Sequence, residues 1–85
     1  MRVTLLYFAW MKERIGCASE EIDLPDSVTT LDDLVTFLSR RSDGHAAAFE
    51  DPALIRAALD QAHAPLDTAI NGAREIAFFP PVTGG

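Results

Sequence analysis

The side chains of this 85-residue chain that could do chemistry are few and scattered. His45 and His63 lie in different segments, and neither has a second His or Cys at metal-ligand spacing. Both read as surface or loop histidines, and no metal site is expected. Asp32-Asp33, Glu20-Glu21 and Glu50-Asp51 are paired acids, but adjacent residues point apart on helices and strands, so they suit solvated faces better than general acid–base work. Cys17 follows Gly16 in a loop, with Arg14 near and no His beside it in sequence, which makes a poor nucleophile. Gly84-Gly85 lacks the following helix that a phosphate-binding loop requires. No catalytic side chain is expected from this chain.

What remains is the ending Pro80-Pro81-Val82-Thr83-Gly84-Gly85. It follows directly on the apolar pair Phe78-Phe79, so it is rooted in a strand rather than on a linker. Pro80-Pro81 favours an extended exit, and β-branched Val82 and Thr83 prefer extended geometry. Six residues at about 3.3 Å each project roughly 20 Å. Gly84 and Gly85 have no side chains, so they pass a narrow channel and leave a terminal carboxylate unhindered. A stiff arm with an exposed carboxylate is suited to presenting that carboxylate to another protein's active site.

The body must position this arm. Residues 2–8 read as a strand with Val3, Leu5 and Tyr7 on one face and Leu6 and Phe8 on the other, which predicts a central strand covered on both sides. Residues 9–15 predict a short helix or turn that stops at Gly16. Glu20 to Leu24 alternates acids with Ile22 and Leu24, a half-buried strand ended by Pro25, and its closeness to the first strand predicts an antiparallel pair. Leu31, Leu34, Val35 and Leu38 form one apolar stripe and predict a helix over 31–41. Thr30 and Asp33 are placed for a capping box, Arg40 and Arg41 for the last turn, and Gly44 for the stop. One helical turn is compatible with 46–49, a strand is expected over 53–60 although Leu54, Ile55 and Leu59 also fit a helical period, Asn71-Gly72 marks a tight turn, and Glu75 to Phe79 is a strand ended by Pro80. Strand, strand, helix and further strands in a chain this short predict an α+β, β-grasp fold: a mixed sheet packed on one main helix, with first and last strands side by side in the centre. Residues 1–79 form that domain, and 80–85 the tail.

Composition narrows the partners. Thirteen acids against seven bases give a formal charge of −6, which disfavours nucleic acid and anionic membranes and suits docking on a basic protein. The single cysteine cannot form an internal disulfide, and the apolar opening is too short to span a bilayer. The lone thiol and the lack of a recognisable secretory signal make a reducing cytoplasm the expected compartment.

The ending Glu75-Ile76-Ala77-Phe78-Phe79-Pro80-Pro81-Val82-Thr83-Gly84-Gly85 resembles the C-terminus of the molybdopterin synthase small-subunit family. The opening Val3-Thr4-Leu5-Leu6-Tyr7-Phe8-Ala9, with Lys12-Glu13-Arg14-Ile15-Gly16, is similar to that family's first strand and turn, and the helix after Val28-Thr29-Thr30-Leu31 matches in position. Ile70-Asn71-Gly72-Ala73-Arg74-Glu75 departs from the family's Leu-x-Asp-Gly-Asp-Glu-like turn.

The resemblance implies a ubiquitin-like β-grasp fold and a sulfur carrier in molybdenum cofactor biosynthesis. An adenylating partner would activate the Gly85 carboxylate with ATP, and a sulfurtransferase persulfide would supply the sulfur. Gly85 would then carry a thiocarboxylate and donate sulfur to cyclic pyranopterin monophosphate inside the large synthase subunit. The implied assembly is a heterotetramer of two small subunits on a large-subunit dimer. Pro80, Pro81, Val82, Thr83 and Gly84 would enter the partner, and Phe8, Phe78 and Phe79 would supply docking surface, with core packing as the alternative for these aromatics. No cofactor would be held stably. A sulfur carrier for thiamine, tRNA thiolation or cysteine synthesis, a ubiquitin-like modifier and a plain interaction module are the alternatives.

Overall fold

The computed structural model describes residues 1–81. Five strands form one sheet in the order β2-β1-β5-β3-β4: β1 is Arg2–Tyr7, β2 Ser19–Asp23, β3 Arg56–Leu59, β4 Ala62–Ala64 and β5 Glu75–Phe79. β1 pairs antiparallel with β2 and parallel with β5, and β5 pairs antiparallel with β3. The first and last strands therefore lie side by side in the centre, as the sequence predicts. Helices α1 (Ala9–Ile15), α2 (Leu31–Ser39) and α3 (Asp43–Ala48) join one sheet face in a single core, into which Val3, Leu5, Tyr7, Ile76 and Phe78 point. The architecture is the expected α+β grasp around α2.

Local chemistry explains most element ends. Gly16 closes α1 at φ 98°, with its N–H on the Lys12 carbonyl at 2.8 Å, a left-handed cap that glycine adopts without Cβ strain. Thr30 Oγ1 accepts from the Asp33 N–H while the Asp33 carboxylate accepts from the Thr30 N–H, so the capping box at α2 is complete. Bonds from Thr29 and Thr30 hold the Asp33 carboxyl below its ordinary range. Asn71-Gly72 forms the tight turn, with Gly72 at φ 81° and the Ala73 N–H on the Ile70 carbonyl at 3.0 Å.

Four expectations need correction. β1 is central because both its edges are paired, not because both faces are covered: Leu6 is half-buried and Phe8 exposed. α2 ends at Ser39, so Arg40 and Arg41 lie beyond its last turn, and Arg41 reaches Glu20 instead at 3.4 Å. Gly44 does not stop α2; it sits in the first turn of α3, where a Cβ would collide with the Arg14 carbonyl oxygen at the end of α1. Its role is the close approach of two helices. The region 53–60 is strand only from Arg56, because Pro52 opens a 3₁₀ turn over Pro52–Leu54 that Asp51 caps through the Ala53 N–H at 3.0 Å.

Candidate functional site

The tail root is built by three strands that meet at one end of the sheet. β5 runs out at Phe79 between the end of β1 and the start of β3: Tyr7 is level with Phe78, and Arg56 with Phe79. The Phe8 N–H donates to the Phe78 carbonyl at 3.2 Å, extending the ladder past β1. Half-buried Pro80 and Pro81 follow. Neither has an N–H, so the ladder stops there by covalent necessity. Val82, Thr83, Gly84 and Gly85 lie outside the described residues.

The three aromatics assigned to docking separate by strand parity. Phe78 is fully buried at 0% exposure, edge-on to Phe49 with ring centroids 5.0 Å apart. It is a core residue and cannot present a docking surface. The sequence pair Phe78-Phe79 conceals this, because adjacent strand residues point to opposite faces. Phe79 takes the outer face, half-buried against His63 at 5.1 Å between centroids. Phe8 is 49% exposed. It immediately precedes Ala9, whose φ of 55° is left-handed, a conformation that costs an L-residue roughly 1–2 kcal/mol. With Leu6 and Ala77, level in the β1–β5 register, Phe8 and Phe79 give the open sheet face an apolar character beside the tail root.

A polar cluster that the sequence reading missed lies behind this end of β1. His45, expected on the surface, is only 6% exposed. Its Nε2 is 2.7 Å from Glu20 Oε2, and its Nδ1 is 2.7 Å from Ser42 Oγ. The same Glu20 oxygen accepts from the Tyr7 hydroxyl at 2.7 Å, and Arg41 reaches Glu20 Oε1. Ser42 Oγ also accepts from the His45 N–H at the start of α3. A carboxylate only accepts, so the Nε2–H donates to Glu20, and the Ser42 hydroxyl, which can donate as well as accept, serves Nδ1. Burial works to raise the Glu20 carboxyl, yet the bonds from His45 and Tyr7 hold it below its ordinary range. Burial and the same carboxylate push the Tyr7 phenol well above its ordinary value.

The signal was present: Glu20 shares strand parity with Ile22 and Leu24 and so faces the core. The cluster welds β1, β2 and α3 together and leaves no buried polar side-chain atom without a partner among the described residues. Cys17 is half-buried, and burial followed by the Glu20 charge raises its thiol, the opposite of a reactive cysteine. His63 is exposed on β4. Among the described residues no three His, Cys, Asp or Glu side chains converge as a metal site would need, and no helix is long and apolar enough to cross a membrane.

Residues 5–85 match the ThiS family. The molybdopterin synthase sulfur carrier subunit of Haemophilus influenzae is 39% identical over 83 residues, covering 98% of this chain and 99% of that protein. The protein of the same name from Escherichia coli is 36% identical over 85 residues, with 98% and 99% covered. In three dimensions the chain is similar to a putative molybdopterin converting factor subunit 1 from Pyrococcus furiosus, at TM-score 0.77 and 24% identity, covering 96% of this chain and 99% of that one. A β-grasp sheet whose central last strand leads into Pro-Pro-Val-Thr-Gly-Gly, matched almost end to end by these relatives, is that of a member of the ThiS family.

Proposed function

We propose that this chain is the sulfur carrier of molybdopterin synthase and that its reactive group is the Gly85 carboxylate. The observation that carries the reading is the tail root: a central strand, locked on both edges, hands its chain to two prolines at the rim of the sheet. The names of the relatives supply the pathway.

The chemistry follows from the poverty of side-chain candidates. A carboxylate is a poor electrophile, so an adenylating partner must first attach it to the α-phosphate of ATP with loss of pyrophosphate. A persulfide sulfur on a sulfurtransferase then attacks the acyl carbon; the C–S bond forms, the C–O bond breaks and AMP leaves. A thiol cleaves the resulting acyl disulfide and frees a thiocarboxylate, an anionic nucleophile near neutral pH. This chain's part is to hold that group at the tip of a slender arm. Gly84 is the narrow neck, Pro80 and Pro81 stiffen the base, and Val82 and Thr83 line the arm within the large synthase subunit. Phe8 and Phe79 join Leu6 and Ala77 as the apolar surface that the partner grips. The groups that handle the pterin belong to the large subunit.

One added residue tests this directly. A variant extended by a single alanine after Gly85 keeps the same melting temperature but accepts no sulfur from the activating enzyme and sulfurtransferase. Normal thiolation of the extended chain overturns the assignment of Gly85.

A further inference from the structure

Beside the tail root lies a groove that this chemistry does not use. Two shallow hollows of about 300 and 250 Å³ adjoin along β3 and share Arg56 and Pro65; one runs on to Leu66, the other to His63. Strand register sets their place, because Arg56 is paired with Phe79, the last residue before Pro80. The groove therefore lies at the end of the sheet from which the tail leaves, one strand away from β5 on the β3–β4 side.

Its charge is opposite to that of the molecule. On a chain of formal charge −6, no acidic side chain among the described residues lines either hollow, and apart from Arg56 and His63 that lining is apolar. The Asp51 carboxylate, near in sequence, is turned to the Ala53 N–H. Exposed Arg56 is anchored through one nitrogen only: Nη1 donates to the Ile55 carbonyl at 3.0 Å and to the Ala53 carbonyl at 3.4 Å. Among the described residues its Nη2 and Nε donate to no acceptor. A guanidinium held this way presents its other edge as a two-pronged donor, which a carboxylate matches. His63 is braced by the Phe79 ring and takes no hydrogen bond among the described residues. Leu54, in the 3₁₀ turn that flanks the groove, is 46% exposed.

We infer that this groove receives a segment of the large synthase subunit that carries a carboxylate next to an apolar side chain, an inference that rests on the sulfur-carrier reading above. A carrier of formal charge −6 suits a partner face of positive charge, and against such a face a single contact of inverted sign would fix the docking register near the point where the tail must enter.

The experiment measures Kd for the large subunit with Arg56→Glu, Arg56→Gln, Arg56→Lys and the control Arg40→Glu, which makes the same charge change beyond α2. Arg56→Glu is expected to raise Kd about tenfold or more, Arg56→Lys by less, and Arg40→Glu by under about threefold, with the gap narrowing as salt rises. Should Arg56→Glu fail to fold, Arg56→Gln carries the comparison, with a weaker but still selective loss. Equal losses for Arg56→Glu and Arg40→Glu, or wild-type affinity in the Arg56 variants, overturn the groove assignment alone. A loss confined to the activating enzyme overturns the choice of partner. Absence of binding by the wild-type chain overturns the sulfur-carrier reading, and this inference with it.

Discussion

Replacing Phe78 and Phe79 separately by alanine should give very different results, although the two residues are adjacent and chemically identical. Phe78 is fully buried, level with Tyr7 on one side and Ala57 on the other, and edge-on to Phe49. Truncating it removes a ring from the centre of the core, a loss of about 3–5 kcal/mol, of which roughly 0.5–1.5 kcal/mol is the aromatic pair. A chain of 85 residues at roughly 0.05–0.15 kcal/mol each has about 4–13 kcal/mol in total. Phe78→Ala is therefore marginally folded, and Phe78→Leu recovers much of the loss. Phe79 is half-buried on the open face, so Phe79→Ala costs about 1 kcal/mol or less. Urea titration followed by the fluorescence of the single tryptophan, Trp10, measures both. Binding to the large subunit completes the contrast, because Phe79→Ala should lower affinity while remaining folded. A small stability loss for Phe78→Ala together with a large one for Phe79→Ala would mean that β5 faces the other way, and the docking surface would have to be redrawn.

Gly44→Ala should destabilise by more than the ~1 kcal/mol helix-propensity gain that alanine normally brings, because the new Cβ overlaps the Arg14 carbonyl; a thermal melt above the wild type would contradict the close approach of α1 and α3. The Glu20 carboxyl is held below its ordinary range in the folded chain, so its contribution is present above the unfolded carboxylate pKa and is lost as pH falls through the lower folded value. Urea midpoints from pH 7 down to pH 3 should therefore fall more steeply for the wild type than for Glu20→Gln, and parallel curves would rule the coupling out.

Much of the fold is legible in the sequence, because periodicity reports directly on packing. The stripe Leu31, Leu34, Val35 and Leu38 specifies α2, the alternation of β1 and β2 specifies their core faces, and Pro80 specifies where β5 ends. The tail was legible as a motif, since few structural demands would place two prolines and two glycines in its last six residues. What escaped depends on contacts across the fold. His45 lies in an Ala-rich segment with weak pattern, and its burial follows from Glu20, twenty-five residues away in sequence. Gly44 reads locally as a stop, while its real constraint is the backbone of Arg14. Phe78 reads as one of an apolar docking pair until strand parity assigns it to the core. The groove at Arg56 exists only once β3 is placed against β5, so no linear spacing announces it.

The central claim is that the last carbonyl of the chain is the reactive centre. Intact-mass spectrometry of the protein after incubation with ATP, the activating enzyme and a persulfide-charged sulfurtransferase addresses it most directly. The account predicts a mass gain equal to one oxygen exchanged for sulfur, localised by fragmentation to Gly85 and reversed when the large subunit and cyclic pyranopterin monophosphate are added. An unchanged mass, or sulfur found on Cys17 instead, would contradict it.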